Sequence, residues 1–174
     1  CGQLWERTPN PSVATGDGLA KSVRAGAACR DMEFVQFHPT ALMAGNKKPF
    51  LITEALRGEG GVILDDEGLN LYRANGGEPS QYSFTLDSSP AGSLATRDVV
   101  ARACDQRMKV TGADNVWLVN DHLDKEKLHK AFPTIETRLS KYNLSLGVDP
   151  LPVAPAAHYM VGGLSVDLHG QVLM

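Results

Sequence analysis

An α+β fold is predicted for this chain of 174 residues by three observations. Short apolar or alternating runs read as strands. Other stretches carry a single apolar stripe at helical spacing. Turn signals and Gly-, Pro- and Ser-rich stretches separate the two kinds of element. Hydrophobic residues make up 43% of the chain, enough for a packed core.

Taken in order, Asn10-Pro11 is a turn signal. After it, Thr15-Gly16-Asp17-Gly18 leads into Leu19, Ala20, Val23 and Ala27, one stripe of a short helix with Gly26 near its end. Residues 32–38 alternate as a strand that ends at Pro39. A residue before proline is held extended, which places His38 at the strand end with its ring projecting. Phe50-Leu51-Ile52 runs into a short helix or turn over 53–57, broken by Gly58, Gly60 and Gly61. Residues 62–72 read as a hairpin around Asp66-Glu67-Gly68, and 73–93 as a polar, irregular loop. Thr96 is a good N-cap for a helix to about Val110, with Val99, Val100, Ala103, Cys104 and Met108 on its apolar face and Gly112 as its stop. A short strand follows over 116–119. Asp124 caps a helix to Phe132, and Pro133 starts another that Gly147 ends. Pro150, Pro152 and Pro155 read as a linker-like return, and 164–174 as two alternating strands around His169-Gly170.

Composition excludes several classes of function. The net charge is -3 with both signs interspersed, and no Lys/Arg cluster exists to neutralise nucleic-acid phosphates. Apolar runs such as Phe50-Leu51-Ile52 are too short to span a bilayer, so no membrane association is expected. Cys1, Cys29 and Cys104 form no Cys-x-x-Cys pair, so no metal site is indicated and free thiols in a reducing compartment are expected. The start Cys1-Gly2-Gln3 has neither the charged nor the apolar region of a signal peptide. It also lacks Met, and the far end stops within an alternating apolar stretch, so a piece of a larger protein is expected.

Four clusters could carry chemistry: Gln36-Phe37-His38-Pro39-Thr40, the stretch 53–60, Arg97-Asp98 at a helix start, and Pro155-Ala156-Ala157-His158-Tyr159 followed by Gly162-Gly163. Singly, each has a bland reading. A histidine beside small residues is often only packed. Glu54 and Arg57, three apart, make a surface pair worth at most about 1 kcal/mol. Arg97 places a cation at a helix N-terminus, which the helix dipole mildly disfavours. Together, two histidines, a threonine and an arginine could supply donors to two carboxylates, and an arginine fork matches a carboxylate. A small dianion held away from water needs several such donors.

The segments ATGDG (14–18), MEFVQFHPTAL (32–42), FLITEALRGEGG (50–61), RDVVARA (97–103) and PVAPAAHYMVGG (152–163) resemble the succinate dehydrogenase/fumarate reductase flavoprotein superfamily, in order and approximate spacing, over nearly the whole chain. Within it, PAAHYMVGG is most similar to the L-aspartate oxidase family. The resemblance implies a capping domain over 38–157 flanked by strips of the FAD-binding α/β domain at 1–37 and 158–174. It implies FAD as cofactor and a small dicarboxylate, L-aspartate, fumarate or succinate, as substrate. His38, Thr53 and His158 match positions that hold substrate carboxylates. Arg97 matches the catalytic arginine that passes a proton, Glu54 and Arg57 a relay that reaches it, and Asp17 a carboxylate that contacts the flavin. The implied reaction is oxidation of L-aspartate to iminoaspartate, with oxygen or fumarate as final acceptor, in the quinolinate route to NAD. Quinolinate synthase is the implied partner, and a bacterial cytoplasm or a plastid stroma the compartment. The alternatives are a respiratory flavoprotein subunit and an inactive capping module. Three features depart from the family. The chain has no Gly-x-Gly-x-x-Gly, so alone it is expected to bind flavin weakly and not to turn over. Gly68-Leu69-Asn70-Leu71-Tyr72 replaces the usual Gly-x-Arg-Phe. Thr96 stands where aspartate oxidases usually have Pro and respiratory subunits Ser.

Overall fold

The computed structural model of the protein describes residues 1–45 and 48–174. In chain order these form α1 (Asp17–Arg24), β1 (Cys29–Arg30), β2 (Val35–Leu42), β3 (Phe50–Leu51), α2 (Ala55–Gly58), β4 (Val62–Leu64), α3 (Asp66–Asn75), α4 (Arg97–Thr111), β5 (Val116–Val119), α5 (Lys125–Ala131), α6 (Pro133–Leu139), β6 (Leu151–Met160) and β7 (Gly163–Leu164). An antiparallel sheet runs in the order β3-β2-β6-β5-β4, and β1 pairs with β7 in a separate two-stranded sheet. Helices and antiparallel strands thus share one mixed fold, with α4 packed on β2 and β6. The main core joins Leu56, Ile63, Val100, Cys104, Leu118, Leu139, Leu151 and Val153, all fully buried.

The pairing of β2 with β6 positions the site, and it is irregular twice. Gln36 faces Tyr159 but Phe37 faces Ala157, so His158 is an extra residue on β6. His38 faces Ala156 and Ala41 faces Ala154, so Pro39 and Thr40 together oppose Pro155. Such bulges re-aim side chains, and they absorb residues that have no N–H to give. That accounts for two corrections. The strand expected to stop at Pro39 runs on to Leu42, because Pro39 lies in the bulge. The proline-marked return at 150–155 is not a linker but the start of the ten-residue strand β6, where Pro152 pairs with Trp117 and Pro155 faces the bulge.

Other expectations also change. There is no hairpin over 62–72: β4 is followed by α3, whose N-cap Asp65 accepts a hydrogen bond from the Gly68 amide at 2.8 Å. Gly68 is needed for close approach, because a Cβ there would run into the Tyr82 carbonyl. Residues 73–93 are not a loose loop. They hold the end of α3 and 3-10 turns at Pro79–Tyr82, Phe84–Asp87 and Gly92–Leu94. Buried Ser83, Thr85 and Ser93 link hydroxyls there. Thr96 is the N-cap residue of α4, but its hydroxyl donates to Asp98 at 2.6 Å instead of capping an amide. Gly112 does stop α4, in the left-handed conformation at φ 72°. Asp124 caps α5, accepting from the Lys127 amide. The helix from Pro133 ends at Leu139 rather than Gly147, and a 3-10 turn leads to Asn143 at φ 56°. The C-terminal hairpin shrinks to a Val166–Val172 bridge around an Asp167 turn.

Leu118 is central to the sheet, with Ile63 opposite on one side and Leu151 on the other, and it has no exposed surface. Leu118→Ala is expected to cost about 2–5 kcal/mol of unfolding free energy. The shift in urea midpoint measures it, and an unchanged midpoint contradicts this account of the core.

Candidate active site

The bend at 53–57 brings an acidic and a basic side chain to one face. Thr53 Oγ1 accepts from the Ala55 amide at 3.3 Å and opens α2. Glu54 and Arg57 then lie three apart, and Arg57 Nη2 donates to Glu54 Oε1 at 2.8 Å. Arg57 is 1% exposed, and its Nη1 donates to the Ser93 carbonyl at 2.5 Å. The other oxygen of the same carboxylate, Oε2, accepts from Arg97 Nε at 2.7 Å. Arg97 Nη1 donates to Gln36 Oε1 at 3.1 Å. The result is a continuous chain, Gln36–Arg97–Glu54–Arg57, reaching from β2 to the interior. Glu54 also answers the inconsistency at α4: a carboxylate from another element offsets the cation at this helix N-terminus.

Two histidines stand beside Arg97. His38 is 1% exposed, and its ring centroid lies 5.6 Å from that of His158, with the planes at 75°. His38 Nδ1 faces the Thr40 amide at 3.3 Å. An amide can only donate, so Nδ1 is the acceptor and the proton sits on Nε2, which remains a donor. Burial first, then the Arg97 charge and His158, bring the His38 pKa down to about 4. Burial and then Arg97 also lower that of His158. At neutral pH His38 is therefore a neutral N–H donor. Burial raises the Glu54 pKa, but the Arg97 hydrogen bond and the two arginine charges outweigh it, so Glu54 is held below the ordinary carboxylate range. Burial lowers the Arg57 pKa against the opposing pull of Glu54. The two guanidinium groups and one carboxylate leave a net positive charge beside two neutral imidazoles. That combination suits an anion.

The His38 shift has a testable sign. Between about pH 6.5 and 4 the unfolded chain binds a proton at His38 that the folded chain refuses. Its contribution to stability is complete above pH 6.5 and is lost as pH falls towards 4. His38→Asn is expected to flatten this part of the profile of urea midpoint against pH. An equally steep profile in the variant contradicts it.

Of the residues expected from sequence, His38, Glu54, Arg57, Arg97 and His158 come together. Thr53 is exposed, and its hydroxyl contacts its own turn. Asp17 is exposed at the start of α1, and among the described residues it makes no hydrogen bond or ion pair with the cluster. Gln36 has a position that sequence reasoning left without a role. Its signal was the period of two, which sets Gln36 and His38 on one side of β2. The Ser93 carbonyl left no signal, because a backbone acceptor can come from any residue type. A cleft of about 490 Å³ lies beyond Gln36, lined by Trp5, Phe37, Asp98 and Arg102, and reaches neither His38 nor Arg97.

The family model for an FAD-binding domain matches residues 4–174, and the chain belongs to that family. The match includes the stretch expected to be a separate capping domain. The chain is 42% identical to the L-aspartate oxidase of Nostoc sp. over 174 residues, covering 98% of this chain and 28% of that protein. It is also 42% identical to that of Mycobacterium tuberculosis over 173 residues, covering 98% of this chain and 30% of that protein. Among solved structures it is similar to a quinol-fumarate reductase with menaquinol, at TM-score 0.79 and 30% identity, over 98% of this chain and 30% of that chain. The chain therefore spans about three-tenths of the length of these relatives.

The cofactor of the family is FAD. The groups this chain offers at the position where the sequence resemblance puts a flavin contact lie at the start of α1. Gly16, at φ 89°, turns the chain into α1, whose first amides have no partner within the helix and lie beside the exposed Asp17 carboxylate. No Gly-rich turn of the diphosphate-binding kind is in the sequence. Among the described residues, no helix is long and apolar enough to cross a membrane.

Proposed function

We propose that this chain forms the substrate-facing part of a flavin-dependent L-aspartate oxidase, which converts L-aspartate to iminoaspartate. The observation that carries the reading is the Arg97–Glu54–Arg57 chain facing His38 and His158. FAD, when bound, would supply the hydride acceptor for the substrate Cα, and Asp17 is the residue of this chain that the sequence resemblance assigns to contact it. His38 Nε2–H and His158 donate to the substrate carboxylates, and Thr53 adds a hydroxyl, whose oxygen accepts from the Ala55 amide and whose hydrogen is free to donate. Arg97 moves the proton. An arginine is a poor acid at neutral pH because its pKa exceeds about 12. It serves here because Glu54 takes up its charge and Arg57 anchors Glu54.

In this reading residues 38–157 form the cap and the segments 1–37 and 158–174 belong to the FAD-binding domain, so β2 and β6 pass from one unit into the other. The proposed setting is quinolinate formation for NAD, in a bacterial cytoplasm or plastid stroma, with oxygen or fumarate as acceptor and quinolinate synthase as partner. The 174-residue chain alone is proposed to be inactive.

A second reading, a succinate dehydrogenase or fumarate reductase flavoprotein, draws on Thr96 and on the fumarate reductase scaffold. The higher identity to aspartate oxidases favours the first. Assay of the flavin-loaded enzyme separates them. Aspartate oxidation without a membrane partner supports the oxidase, and succinate–quinone activity with no aspartate oxidation sinks it.

A further inference from the structure

The bulge that carries His158 is held from outside the sheet. His158 is the extra residue of β6 opposite β2, and a strand ladder leaves such a residue unpaired. Residues 7–10 supply partners there. Asn10 Nδ2 donates to the His158 carbonyl at 3.0 Å and to the Ala157 carbonyl at 3.2 Å. Thr8 Oγ1 donates to the same Ala157 carbonyl at 2.8 Å, and the Ala157 amide donates to the Arg7 carbonyl at 2.9 Å. The two side chains are tied to each other, because Thr8 Oγ1 accepts from Asn10 Nδ2 at 2.9 Å. Carbonyls only accept, so it is the nitrogen of the Asn10 amide that must face the bulge.

The local sequence prepares this clamp. Thr8 and Asn10 each precede a proline, which biases both towards extended backbone. Residues two apart on extended backbone share a side. Thr8 is buried, and the first residues of the chain close over Asn10. Gln3 Nε2 donates to the Asn10 carbonyl at 2.9 Å and to the Pro11 carbonyl at 3.1 Å. A Cβ on Gly2 would stand 2.5 Å from Asn10 Nδ2. The His158 ring itself has only edge contacts, with Tyr159 at 4.9 Å and His38 at 5.6 Å between centroids. Among the described residues it makes no hydrogen bond, so its place depends on the backbone that carries it.

We propose that Thr8 and Asn10 are positioning residues that lock the backbone at 157–158 and so hold the His158 ring beside His38 for a substrate carboxylate. The proposal rests on the reading above for the role of His158. Both residues act through that ring. Their loss therefore weakens binding of the dicarboxylate in the ground state and the transition state alike, which raises KM and spares kcat.

The test uses the flavin-loaded enzyme in two arms. In the first, Asn10→Ala should raise KM for the dicarboxylate at least about tenfold, with kcat within about threefold of native. Thr8→Val, which keeps the shape and loses the hydroxyl, should do the same, and Thr8→Ser should restore the native KM. In a His158→Ala background, Asn10→Ala should change KM by less than about twofold, since residues acting through one group are not additive. The second arm reads the His158 ring by NMR of carbon-13-labelled histidine, with no need of turnover. Burial and Arg97 hold its pKa below the ordinary value. The ring faces Arg97 from α4, His38 from β2 and Tyr159 on its own strand. In Asn10→Ala, and in Thr8→Val should Asn10→Ala not fold, the pKa should rise towards the ordinary histidine value as the ring moves into water. A native His158 titration in the variants overturns the proposal. So does a native KM, or a KM increase of equal size in the His158→Ala background, which marks an effect that bypasses His158. If the native enzyme oxidises no dicarboxylate, the functional reading fails, and the titration still decides the clamp. If it does oxidise one and both variants keep native KM and titration, only the clamp fails.

Discussion

Replacing Arg97 with leucine is expected to lower turnover of the flavin-loaded enzyme by at least about a thousandfold, roughly 4 kcal/mol, with a much smaller change in KM. Arg97 sits at the first turn of α4 with its side chain one-third exposed, held by Glu54 at Nε and Gln36 at Nη1. That leaves Nη2 of its fork with no partner among the described residues. An arginine already fixed at two nitrogens costs little to immobilise further, so it can act mainly in the transition state. If it only bound the substrate carboxylate, its loss would raise KM and spare kcat. Steady-state kinetics of Arg97→Leu and Arg97→Lys distinguish the two roles. A turnover within about tenfold of native in Arg97→Leu, roughly 1.4 kcal/mol, rejects the proton-transfer role.

Glu54→Gln is expected to have a double effect. Both carboxylate oxygens are occupied by guanidinium nitrogens, and Arg57 is buried. Without the carboxylate, Arg57 is a buried cation with only carbonyl partners. Breaking a buried pair from one side costs about 3–5 kcal/mol. Because Glu54 itself is 42% exposed, the lower end of that range is expected. Turnover should fall by about a hundredfold or more, since an amide cannot relay a proton between two arginines. Thermal unfolding and kcat of the one variant measure the two effects. A stable Glu54→Gln enzyme with native turnover contradicts both halves.

Much of this site was legible in the sequence, and the reason lies in local geometry. Glu54 and Arg57 are three apart on a turn, so their pairing follows from helix geometry alone. The Thr-Glu-Ala-x-Arg-Gly and His-Pro-Thr stretches carried the resemblance that placed Arg97 and His158 with them. What escaped was non-local. Pro39, Pro152 and Pro155 read as strand breakers because a proline gives no N–H. Only the opposing strand shows that bulges absorb Pro39 and Pro155. The 73–93 stretch looked like a loop because its burial comes from single residues, Phe84 and Thr85, with no period to detect. Residues 66–72 were misread because Asp-Glu-Gly serves equally as a turn and as a capped helix start. The packing of Gly68 under the Tyr82 carbonyl belongs to the helix.

The proposed reaction turns on one event, proton passage through Arg97 as L-aspartate is oxidised. Mixing L-aspartate with the flavin-loaded enzyme in a stopped-flow cell without oxygen tests it most directly. The expected result is rapid bleaching of the flavin band in the native enzyme. In Arg97→Leu bleaching should be slower by at least about a thousandfold, with aspartate still bound. Bleaching by L-aspartate at the same rate in both enzymes, or by succinate and not L-aspartate in the native one, would contradict it.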